Sequence, residues 1–159
     1  MLANIIHAEA RLPEKRSSML SLGVENEPLL FLVSCMRMDR ATFEAVVHEA
    51  IASIPEVLRA QLMNVDVVVE AWPADDDLRN ADVQDGYTLF GLNTAVPLTE
   101  RTSDYNMVLP DKITIYQGPL QDAFGETEQL RVEIRNTVIH EVAHFFGLSD
   151  ADLVRLGVS

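Results

Sequence analysis

The alternation of apolar and polar positions is weak at the start of the chain and sharp from Asp39 onward. Phe43, Val46, Val47, Ala50, Ile51 and Ile54 recur at 3.6-residue spacing, which predicts an amphipathic helix. Asp39 stands where a carboxylate can accept the open amides of a first turn. Ile54-Pro55 ends or kinks this helix, and Pro55 can open a short second one through Leu62. Val65 to Trp72 is rich in β-branched residues and stops at Pro73, so it predicts a strand with Val65, Val67 and Val69 on one face. Residues 73–86 read as an acidic loop carrying Asp75, Asp76, Asp77, Asp82 and Asp85, closed by Gly86. Tyr87 to Leu92 reads as a second strand, with Gly91 permitting a bend or bulge. Residues 93–109 mix turn residues with short apolar pieces. Lys112 to Gln117 alternates like a further strand that Gly118-Pro119 ends. Glu126 to Phe146 is a long predicted helix, with Leu130, Ile134, Val138, Val142 and Phe145 as its buried stripe.

Residues 1–37 stand apart as an N-terminal extension to a domain spanning 38–159. Pro13 and Pro28 interrupt this stretch, and Leu29 to Val33 is a short apolar run. Met36 and Met38 sit just before the first clear helix, so the extension is either a genuine arm or the product of a start placed too early.

Composition narrows the classes of function. A chain of 159 residues is the size of one domain and large enough to bury a core without disulfide staples. Twelve basic against 25 acidic residues give a net charge of −13, which disfavours a nucleic-acid backbone or an anionic membrane as partner. Cys35 is the one cysteine, so cysteine-rich zinc sites are excluded and no internal disulfide can form. Cys35 itself is given no role. The apolar runs are too short to span a bilayer, and Met1 to Ala10 lacks the basic leader and long apolar centre of a secretory signal. The expected location is the cytoplasm.

The chemistry concentrates at the end of the long helix, in His140-Glu141-Val142-Ala143-His144-Phe145-Phe146-Gly147-Leu148-Ser149-Asp150. Histidines four apart lie one above the other on a helix face, and their ring nitrogens can reach one metal at about 2.0–2.1 Å. Glu141 is offset from that axis, so it can hold a water instead of ligating. Gly147 suits the left-handed backbone of a helix stop, after which the chain can turn and bring Asp150 to the same metal. Three protein ligands and one open position define a catalytic zinc site, while a structural site has four. Ser149, Asp152 and Glu133 are other oxygen donors within reach of the same region. Glu133, Asn136 and Thr137 could orient the ligands, or simply form the solvated side of the helix. His48 reads as a packed or surface histidine, and Tyr116 as core packing or as a hydrogen-bond donor to a developing oxyanion. The acidic loop lacks the spacing of a calcium loop.

The pattern His140-x3-His144-x2-Gly147-x2-Asp150 resembles the zincin metallopeptidase signature. More specifically, the chain is similar to the small bacterial minimal zincin-like metallopeptidases over about residues 38–150. The leading helix pair, the valine strand, Leu89 to Leu92, Pro97 to Arg101 and Leu109 to Leu120 all fit that family. The resemblance implies an α+β, zincin-like fold: one compact domain with a small mixed sheet packed against the active-site helix and an N-terminal helix pair. It implies one Zn²⁺ per chain, held by His140, His144 and Asp150, with Glu141 as general base, although the donor types alone also suit other divalent ions. The expected activity is hydrolysis of peptide bonds in peptides or small unfolded proteins. The alternative is a zincin-like module that binds metal and acts as an interaction protein without peptidase activity.

Overall fold

The computed structural model describes residues 9–11, 37–62, 64–95, 111–125 and 127–156. In chain order the elements are β1 (Glu9–Arg11), α1 (Arg40–Ala52), α2 (Glu56–Arg59) with a 3-10 turn (Ala60–Leu62), β2 (Val65–Glu70), α3 (Asp75–Asn80), β3 (Tyr87–Leu89), β4 (Gly91–Asn93), β5 (Asp111–Tyr116), α4 (Gln117–Phe124), α5 (Glu128–Phe145) and α6 (Asp150–Leu156). Leu29 to Val33, Cys35, Met36 and the Pro97 to Arg101 stretch lie outside the described residues.

The sheet that positions the rest has three strands in the order β2-β5-β4 and is mixed. β2 runs parallel to β5, with Val67 opposite Ile113, and β4 runs antiparallel to it, with Gly91 opposite Ile115. A strand paired on both edges and covered on both faces must be apolar nearly throughout, and β5 is buried at every residue but Lys112. Ile113 and Ile115 face the main core with Val69, Phe90 and the stripes of α1 and α5. Leu89, Leu92 and Tyr116 face a smaller cluster under α3 with Ala81. β1 pairs antiparallel with β3, Ala10 opposite Thr88.

The helices form where the hydrophobic period places them. Asp39 accepts the Thr42 amide at 3.0 Å and caps α1, which buries Phe43, Val46, Val47 and Ala50. Thr127 caps α5 by accepting the Leu130 amide. The α5 stripe of Leu130, Ile134, Val138, Val142 and Phe145 is buried against α1 and the sheet.

Three local expectations are corrected. Residues 73–86 are not all loop, because Asp75–Asn80 is helical. Acidic side chains complement the amide end of a helix, and Asp77 turns back to accept the Ala74 amide at 3.2 Å. Tyr87 to Leu92 is not one strand but two in different sheets, broken at Phe90. Leu89 and Leu92 both face the smaller cluster while Phe90 faces the main core, so the simple alternation fails there. Gly118-Pro119 does end the strand, but it does so inside the first turn of α4. Amides of a first turn have no partner within the helix, so a proline there costs no helical hydrogen bond.

Two outcomes are expected from this packing. Ile134→Ala empties a fully buried site and lowers unfolding free energy by about 2–5 kcal/mol, whereas Val132→Ala on the exposed face changes it by less than about 0.5 kcal/mol; urea denaturation measures both. The Asp39 carboxyl lies below its ordinary value of 3.8, because it accepts first from the Thr42 hydroxyl and then from the Thr42 amide. Its contribution is therefore complete above that value and lost as pH falls through the lowered one. Asp39→Asn is expected to flatten the acid limb of a stability–pH profile, and an unchanged limb contradicts the cap's role.

Candidate metal centre

The end of α5 is closed by two reverse hydrogen bonds. Gly147 donates to the His144 carbonyl at 2.9 Å and Leu148 to the Ala143 carbonyl at 3.1 Å, with Gly147 at φ 85°. This is the Schellman pattern, which needs a left-handed residue after the cap, and glycine supplies it without strain. The turn brings the Leu148 carbonyl back over the helix, where it lies 2.6 Å from Nδ1 of His144. A carbonyl oxygen can only accept, so the proton of the neutral ring sits on Nδ1 and the lone pair is on Nε2.

His140 and His144 meet edge to face, with ring centroids 4.5 Å apart and planes at 79°. Their Nε2 atoms and both Glu141 carboxylate oxygens are buried. Glu141 has no exposed surface at all and His144 only 3%. His140 is half-buried, and glutamate is rarely found as deep as Glu141. The donor set suits a borderline cation such as Zn²⁺: two imidazoles side by side, one held by the backbone through its Nδ1.

The sequence pointed to His140, Glu141 and His144, and the fold gathers them at one helix end. Asp150 opens α6, three residues beyond Gly147, and its side chain lies outside the described residues. Among the described residues, no group of three or more His, Cys, Asp or Glu side chains is arranged around one ion. The other oxygen donors are engaged elsewhere. Ser149 and Asp152 cap α6 together, Ser149 Oγ donating to Asp152 Oδ2 at 2.6 Å and Asp152 accepting the Ser149 amide at 3.0 Å. These bonds, the hydroxyl first, hold the Asp152 carboxyl below its usual range. Glu133 is half-buried and accepts from Gln129 at 2.5 Å. Asn136 and His48 are exposed. Tyr116 is core, its hydroxyl donating to Asp77 at 3.0 Å, and burial followed by that bond pushes its phenol up.

Two residues of the centre carry no motif. Asn93 is buried on β4 and donates from Nδ2 to the Glu141 carbonyl at 3.3 Å, while its Oδ1 accepts the Ala95 amide at 2.8 Å. Gly91, two residues earlier, lies against Glu141 and Thr137. Asn93 stands 48 positions from Glu141 in the chain, a separation that no local pattern reveals. Along β4, Tyr116 donates to Phe90 at 2.9 Å and Thr94 to Lys112 at 3.0 Å. Antiparallel bonding alternates, so the main-chain groups of Gly91 and Asn93 point away from β5, to the sheet's outer edge. Among the described residues β4 pairs with β5 alone.

A paired-histidine helix beside a small mixed sheet, with a glutamate between the histidines, is the arrangement of a metallopeptidase. The chain belongs to the zincin-like metallopeptidase family, which it matches over residues 62–158. The match takes in β2 to β5 and the whole of α5 and α6, and begins at Leu62, the last residue of the 3-10 turn. No curated protein matches the chain. The family implies zinc as the bound metal. No helix among the described residues is long and apolar enough to cross a membrane.

The tautomer of His144 is directly measurable. Long-range ¹H–¹⁵N correlation on the metal-free protein is expected to show the proton on Nδ1; an Nε2–H ring contradicts the geometry.

Proposed function

We propose that the protein is a zinc-dependent peptidase. His140, His144 and Asp150 would hold one Zn²⁺. When bound, the ion supplies Lewis acidity toward the scissile carbonyl and acidifies the attacking water. Glu141 takes a proton from that water as it adds to the carbonyl carbon, and returns it to the amide nitrogen as the C–N bond breaks. The peptide lies extended along the outer edge of β4, where the main-chain groups of Gly91 and Asn93 can pair with it. A domain this small offers few pockets, so the substrates are short or unfolded peptides.

One observation carries this reading: buried Nε2 atoms of two histidines share a helix end with a buried carboxylate, and the backbone holds one ring through its Nδ1. The helix cap supports the ligand choice, since it occupies Ser149 and Asp152 and leaves Asp150 at the first helical position.

Elemental analysis of protein purified without chelators or a polyhistidine tag is expected to find one zinc per chain. His144→Ala and Asp150→Ala should lower that content, Asp150→Ala less completely. Glu141→Gln should retain the zinc and lose at least about a hundredfold in cleavage of an unstructured peptide library. Equal turnover by Glu141→Gln would falsify the general-base role. Zinc bound without any cleavage by the unaltered protein replaces this reading with the non-hydrolytic module.

A further inference from the structure

Gly91 is not explained by its backbone. The described glycines with positive φ are Gly86, Gly125 and Gly147, and Gly91 is not among them. It sits in an extended strand, where any residue fits the backbone and glycine weakens the strand. What the position cannot hold is a Cβ. A Cβ there would lie 2.7 Å from Glu141 Oε1, 2.8 Å from Glu141 Cγ and 2.9 Å from Thr137 Cγ2. A Cβ essentially never comes within 3.0 Å of another heavy atom, so all three are overlaps.

Neither side can easily withdraw. Glu141 and Thr137 are buried, and the Thr137 hydroxyl is held by the Glu133 carbonyl at 2.8 Å. Asn93 shares a strand face with Gly91 and bonds the Glu141 main chain, so strand and helix are pinned together at this point. We infer that Gly91 is a positioning residue: the missing Cβ fixes where the Glu141 carboxylate lies. The contact is independent of any activity, but its effect on rate rests on the proposed role of Glu141 as base.

The test begins with metal-free protein. Gly91→Ala is expected to lower Tm by on the order of 5 °C in the unaltered background, and by clearly less in Glu141→Ala, where the space is vacated. Equal losses in the two backgrounds overturn the inference. If Gly91→Ala fails to fold alone, recovery of folding in the double variant is the expected result, and its failure overturns the inference. A crystal structure of the folded variant, Gly91→Ala or the double, provides a second check: Glu141 displaced in the first, or the new methyl group seated where the carboxylate lay in the second, supports it. A carboxylate left unmoved beside the methyl group that Gly91→Ala adds overturns it. In the zinc-loaded enzyme, Gly91→Ala should keep metal content and KM while kcat falls on the order of a hundredfold. Unchanged kcat overturns the positioning role. Absence of cleavage by the unaltered protein removes the hydrolase reading but leaves the metal-free measurements decisive.

Discussion

The hydrogen bond between His144 Nδ1 and the Leu148 carbonyl joins the fold to the chemistry. It exists because α5 stops at Phe146 and reverses through Gly147. The same reversal satisfies carbonyls of the last turn, sets the ring's tautomer and directs the chain into α6. A helix stop is usually a matter of local stability. Here it also decides which nitrogen of a histidine carries the proton.

The helix that carries these groups is also the largest contributor to the core. One face buries Leu130, Ile134, Val138 and Phe145 completely, and the sequence between them supplies His140, Glu141 and His144. The site is therefore held by the packing that makes the domain stable, not by a mobile loop. Asn93 adds a polar tie from the sheet to the helix backbone within this apolar setting, and its two hydrogen bonds satisfy both ends of its amide.

The parts legible in the sequence were those written in local periods. The stripe of α5, the apolar face of α1 with its Asp39 cap, the valine strand and the histidine pair each repeat over a few residues, and each is found where the pattern places it. The parts that were not legible depend on contacts distant in sequence. Gly91 reads as a bend because glycine in a strand has several meanings, and only the approach of Glu141, from a helix far along the chain, selects one. Asp75–Asn80 looks like a loop because aspartate is a poor helix former in general, yet at a first turn the same charges are favourable. Gly118-Pro119 is ambiguous for a related reason, since a dipeptide that halts a strand can equally begin a helix.

β5 is clamped by a parallel neighbour on one side and an antiparallel one on the other. A slide of β4 by a single residue would shift it about 3.4 Å and invert which side chains meet α5. Leu92 would then be driven toward the glutamate, and the asparagine tie would break. The alignment of a three-residue edge strand thus acts as a ruler for the Glu141 carboxylate. Its scale is set by Ile113 and Ile115 in the middle of the sheet, well removed from the histidines in sequence.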